Sequence, residues 1–190
     1  MKELQSQILK SSIKVFSKRG FRATFEEIAK DAKIKQPHIF YYYKNKKLLI
    51  QAMVQHILET NHSITQGEVS EGKTAKEKLI KHCFSNFLWA NQHQAQAQII
   101  LLLYYMSVTD KNFRNIYNAI SAEGRKRVHV YILEGVEKQE WSEELINVKS
   151  ALIYNFLTTE VIHHLATDLS TSEKKFKSDL KKIIDITLRA

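Results

Sequence analysis

The sequence predicts an all-helical protein of about nine helices, and three observations carry that prediction. Apolar residues recur at helical spacing along most of the chain. Only five glycines and one proline occur among 190 residues, too few for the many tight turns of a sheet-rich fold. The balance of 44% hydrophobic and 26% charged residues is that of an ordinary globular protein, long enough to bury a proper core.

The elements follow in order. Leu4, Ile8, Ile13, Val15 and Phe16 mark a first helix, ended by Gly20. Thr24-Phe-Glu-Glu27 is a capping-box pattern, in which the hydroxyl accepts from the Glu27 amide while Glu27 reaches back. It starts a short helix from Phe25 to about Asp31, with Ile28, Ala29 and Ala32 inward. Ala32-Lys33-Ile34 reads as a three-residue turn. A third short helix covers about Lys35 to Tyr42, with Pro37 in its first turn, where a missing N–H costs nothing. Asn45 caps a fourth helix at 45–65, whose pattern fades near Ile64. The stretch from Gln66 to Lys73 reads as a linker. Further helices are predicted at about 74–91, 94–107, 111–134, 143–167 and 172–189, with Gly135 to Trp141 joining the third and fourth of these.

Several classes of function are set aside. The longest apolar run, Ile99 to Met106, is far short of the roughly 18–20 residues that span a bilayer, so no membrane partner is expected. The polar N-terminus lacks the apolar core of a secretory leader, and a cytoplasmic location is expected. The single cysteine, Cys83, excludes an internal disulfide framework. His163 and His164, like His82 and Cys83, are adjacent and point about 100° apart on a helix, so no metal site is expected. There is no glycine-rich phosphate loop, no G-x-S-x-G and no H-E-x-x-H, so neither an enzyme nor a cofactor is expected.

Charge is distributed unevenly. The chain carries a formal net charge of +9, and residues 1–50 hold 12 Lys and Arg against 4 Asp and Glu, leaving about +1 for the remainder. A basic segment beside a neutral one suggests a local surface for a polyanion. Two short helices joined by a three-residue turn and packed on a preceding helix make a helix-turn-helix, whose second helix enters the DNA major groove. In Lys35 to Lys47, four consecutive aromatics from Phe40 to Tyr43 cannot all face inward on a helix. Ile39 and Tyr43 are the expected core positions, leaving aromatic surface for thymine methyls and sugars. Lys46 and Lys47 open the fourth helix, an unfavourable place for cations unless a phosphate binds there.

The run from Ile8 to Leu49 resembles the DNA-binding domain of TetR-family transcriptional regulators, in the spacing of Phe16, Gly20-Phe21, Thr24, Ile28-Ala29, Ala32, the aromatic run and Lys44-Asn-Lys46. The resemblance covers about 45 residues. It implies a bacterial regulator, dimeric and all-helical, with a head at 1–47 and an effector-binding and dimerisation body at 48–190. The fourth helix connects the two. The usual activity it implies is repression, in which an effector in the body repositions the heads and releases a palindromic operator on double-stranded DNA. Carried over by position, Gln36, Pro37, His38 and Tyr41 face bases, Tyr42 meets base or backbone, and Thr24 and Lys46 meet phosphates. Three residues depart from the pattern. Lys33 stands where glycine is frequent and implies a strained positive φ. Lys35 replaces a Ser or Thr cap and is placed to reach a phosphate instead. Phe40 lacks a common tyrosine hydroxyl.

In the body, apolar helices carry scattered polar groups, as a ligand pocket requires. Phe87, Leu102, Tyr105, Tyr117, His129, Asn155, Thr158 and Thr159 are the candidate ligand residues, with Asn86 and His163 as further polar positions. The predicted effector is small and apolar or aromatic. The last helix has one apolar stripe, Phe176, Leu180, Ile183, Ile184 and Leu188, opposite a lysine-rich face. With the helix at about 143–167 it suits either a four-helix bundle between two copies or packing back on its own subunit, and the resemblance implies the first, a homodimer. The alternative reading is a sequence-neutral architectural DNA-binding protein, which needs the basic head but not the large body.

Overall fold

A computed structural model describes residues 2–167 and 172–189. Among these residues there are nine α-helices and no strand. They are α1 (Lys2–Arg19), α2 (Phe25–Asp31), α3 (Gln36–Tyr42), α4 (Lys46–Ser70), α5 (Ala75–Gln92), α6 (Gln94–Thr109), α7 (Lys111–Glu137), α8 (Ile146–Ala166) and α9 (Glu173–Leu188). A 3-10 turn, Gly20–Arg22, follows α1. Gly20 ends α1 in the left-handed region at φ 56, which a residue without Cβ adopts at little cost.

The chain forms two compact units. One comprises the residues up to Thr60 together with Ala95–Arg114, and the other Asn61–Gln94 with the residues from Asn115 on. In the first, Ile8, Phe16, Ile28, Ile39, Leu49, Met53, Ile99 and Leu103 are buried, and α1 packs on α2 and α2 on α3. In the second, α5, α8 and α9 pack against one another around Leu79, Phe87, Val128, Ile153, Phe176 and Leu180. Phe176 is its hub, stacked on Phe87 at 4.0 Å and on Phe156 at 5.9 Å. Burying one such ring contributes about 1.5–3 kcal/mol.

Two local expectations are corrected. The helix α4 does not fade near Ile64, and the linker stretch is helical as far as Ser70. Val69 is the reason, since it is buried in the second unit's core and extends the apolar stripe past the polar residues around it. Nor does Gly135 open a loop. It lies inside α7, which runs to Glu137, because the Trp141 ring folds back over it and leaves no room for a side chain. The connection proper then caps α5, with the Glu140 carboxylate accepting from the amides of Ala75 (2.8 Å) and Lys76 (3.1 Å).

Candidate nucleic-acid interface

The first unit sets α3 by local chemistry at each of its ends. Thr24 caps α2 as its sequence predicts: its hydroxyl accepts from the Glu27 amide at 3.2 Å, and its own amide donates to the Glu27 carboxylate at 2.9 Å. The Thr24 amide, with Arg19 also nearby, holds the Glu27 carboxyl below its ordinary range. The turn into α3 is a Schellman closure. The Lys33 amide donates to Lys30 O at 3.2 Å and the Ile34 amide to Ala29 O at 3.0 Å, with Lys33 itself at φ 52. The positive φ foreseen for this lysine is therefore real. Lys35 occupies the N-cap position of α3 without a side-chain hydrogen bond to the helix, so its ammonium is not drawn into capping.

Ile39 and Tyr43 anchor α3 in the core, and the Gln5 amide donates to the Tyr43 hydroxyl at 3.3 Å. Burial pushes the Tyr43 phenol above its usual range. With those two residues inward, the helical period turns Lys35, Gln36, Pro37, His38 and Tyr41 to the surface, Tyr41 being 75% exposed. Tyr42 is half-buried, edge-on to Tyr41 at 5.1 Å. Phe40 is partly exposed and rests edge-on against Phe25 at 4.9 Å. Asn45 caps α4 by accepting from the Leu48 amide at 2.9 Å. Lys46, the first residue of α4, donates to Phe21 O at 2.9 Å. The residues named for DNA contact thus lie together on one unit. They present aromatic, amide, imidazole and ammonium groups, the chemistry that reads base edges and phosphates.

The candidate ligand residues are more dispersed. In the first unit, Leu102 lines an apolar cleft of about 10 Å³ with Phe16, Phe21, Met53 and Phe113, room for a water molecule and not for an effector. Tyr105 is 66% exposed, a correction to its expected inward position. In the second unit, Phe87 is closed over by Phe176 and belongs to the core. Tyr117 is half-buried. His129 Nδ1 lies 3.1 Å from the Ser150 hydroxyl, and the Thr158 hydroxyl donates back to Tyr154 O at 2.9 Å. Asn155 and Thr159 are exposed, also a correction: α8 buries Ser150, Ile153 and Leu157, and its period turns Asn155 and Thr159 away from them. Sequence reasoning missed a different group in this unit, His62, His82, Arg127 and Tyr131. These residues lie on three helices, α4, α5 and α7; sequence reasoning weighs His82 only as a metal ligand, and Asn86, which donates to His82 O at 2.7 Å, only as a polar pocket position.

Among the described residues, no three His, Cys, Asp or Glu side chains gather as metal ligands, and no helix is long and apolar enough to cross a membrane.

Comparison with known proteins agrees with this geometry. Residues 8–53 match the model of the bacterial regulatory proteins, tetR family. The "Probable HTH-type transcriptional regulator YttP" of Bacillus subtilis is 24% identical over 168 residues, covering 83% of this chain and 79% of that protein. The "Uncharacterized HTH-type transcriptional regulator YerO" of the same organism is 30% identical over 146 residues, 67% of this chain, and the chain spans 50% of its length. Among solved structures, a TetR transcription regulator from Haloarcula marismortui has a TM-score of 0.80 at 10% identity, over 99% of this chain and 97% of its own. The regulator FadR from Bacillus subtilis, in complex with stearoyl-CoA, has a TM-score of 0.79 at 20% identity, over 97% of both chains. By its residues 8–53 the chain carries the DNA-binding domain of the tetR family of bacterial regulatory proteins, and the relatives it matches are HTH-type transcriptional regulators.

Proposed function

We propose that the protein is a cytoplasmic repressor that binds a palindromic operator as a homodimer and is released by a small effector with an apolar or aromatic body. The functional division assigned to it is a DNA-binding head at 1–47 and an effector-binding and dimerisation body at 48–190. The observation that carries the reading is the outward face of α3, where Lys35, Gln36, Pro37, His38 and Tyr41 are exposed together. The apolar stripe of α9 expected at the dimer seam packs instead into its own core, with Phe176, Leu180, Ile184 and Leu188 buried there. A second copy is supported by other apolar side chains, left in solvent on the two last helices: Val148 is 51%, Leu152 55% and Ile186 71% exposed. An effector is supported by the FadR relative, which was solved with an acyl-CoA.

The test is selection of binding sites from random duplexes with the purified protein, with its mass measured in solution. A two-fold symmetric motif and a dimeric mass are expected. Gln36→Ala and His38→Ala should change which bases are preferred. Equal affinity for selected and random DNA at fixed salt would instead identify a sequence-neutral architectural binder and sink the repressor reading.

A further inference from the structure

We infer that the second unit binds the carboxylate of a small organic acid between α4, α5 and α7, on Arg127, His62, His82 and Tyr131. The inference rests on the reading of this chain as effector-responsive, and it names the chemistry of the effector's head group.

The starting point is an excess of polar groups in an apolar interior. His82 and Tyr131 are buried with their rings 5.3 Å apart. His62 Nδ1 is out of contact with solvent and has no hydrogen-bond partner. Asn61 and Thr65 on the same stretch of α4 are buried as well, Asn61 donating to the Asn86 side chain at 3.3 Å and Thr65 to His62 O at 3.2 Å. A buried polar atom without a partner costs about 1–3 kcal/mol, so the unpaired His62 Nδ1 beside buried polar neighbours points to a polar guest.

The guest's charge follows from the donors. Arg127 supplies a permanent positive charge that acts on both His82 and Tyr131. Its one hydrogen-bonding partner among the described residues is Glu123, reached through Nε at 3.4 Å, and the Glu123 side chain is 55% exposed. An exposed pair of this kind is weak, and it leaves the rest of the guanidinium fork to bind a carboxylate. Burial, with Arg127 and His62 beside it, pushes His82 down to about 4. At neutral pH its ring is therefore uncharged and offers one N–H. Tyr131 adds a phenol that burial pushes above its usual range, hydrogen-bonded to the Gln66 side chain. The other carboxylate acting on this group, Glu134, is engaged by Lys78 at 2.6 Å and by Lys138 at 2.5 Å. Donors outnumber acceptors, and the unfilled charge is positive, so the complementary guest is an anion with planar oxygens.

The experiment compares matched probes on the full chain: benzoate against benzyl alcohol, and octanoate against 1-octanol. The expected result is a saturable rise in Tm with the acids and none with the alcohols. Arg127→Gln should weaken the acids by about tenfold, and Arg127→Lys by less, because the charge stays while the fork is lost. Should Arg127→Gln fail to fold, the imidazole signals of His82 in the parent protein decide the matter. Saturating benzoate should move its titration to higher pH. Acids and alcohols acting alike, no acid raising Tm, an unchanged acid affinity in Arg127→Gln, or a His82 titration that benzoate leaves in place would each overturn the inference. A palindromic operator found without an acid response sinks this inference alone, whereas failure to select any operator sinks the repressor reading.

Discussion

The ammonium of Lys46 donates to the carbonyl oxygen of Phe21 at 2.9 Å, tying the first residue of α4 to the 3-10 turn that follows α1. This contact offsets part of the unfavourable position of a cation at a helix N-terminus, and the remaining N–H groups are free to meet a phosphate. Lys46→Ala should therefore do two separable things. Denaturant unfolding should show a loss of about 1 kcal/mol. Binding to all DNA sequences should weaken alike, with the slope of log affinity against log salt reduced by about one. A change in base preference in this variant would contradict a phosphate role.

Lys33 holds a left-handed backbone, φ 52, at the turn between α2 and α3. That conformation costs an L-residue about 1–2 kcal/mol, of which glycine's greater freedom in the unfolded chain takes back part. Lys33→Gly is expected to stabilise the protein by about 0.5–1 kcal/mol in chemical denaturation. A destabilised variant would show that the side chain, not the backbone, governs this position.

Gly135 and Trp141 exclude any larger residue at the first position. A Cβ added to Gly135 would lie 1.9 Å from the indole Cζ2, and the indole N–H donates to Ile132 O at 2.8 Å. Gly135→Ala must push the ring out and break that bond, and the displaced connection carries Glu140 away from the start of α5. The expected loss is about 2–3 kcal/mol, with tryptophan fluorescence shifted to the red. An unshifted spectrum at native stability would contradict the packing described.

His82 predicts the response to acid. Its folded value of about 4 lies below the ordinary 6.5, so the unfolded chain binds more protons between them. The contribution is fully present above pH 6.5 and is lost as pH falls toward 4, at about 1.4 kcal/mol per unit. Thermal unfolding between pH 7 and pH 5 should show this decline, and His82→Asn should flatten it relative to the parent. Equal slopes in the two proteins would place the effect elsewhere.

What the sequence determined by itself is local. The caps at Thr24 and Asn45, the breaker at Gly20, and the register that sends Ile39 and Tyr43 inward each depend on residues within a few positions, so they could be read directly. Because the α3 register also turns outward the residues proposed to face DNA, that part of the candidate interface was legible too. Tertiary structure decided the rest. The helix α4 runs through a glycine-containing polar stretch because Val69 finds a core, and α7 keeps Gly135 because Trp141 needs the space. That His62 and Arg127 act electrostatically on His82 depends on how three helices pack, and helical periodicity carries no information about which polar residues on different helices will come near one another. On α8 the sequence showed polar groups on an apolar helix. Only packing decided that Ser150 turns inward while Asn155 and Thr159 face out. Burial of a polar side chain depends on partners far along the chain, whereas a helix cap finds its partner three residues away.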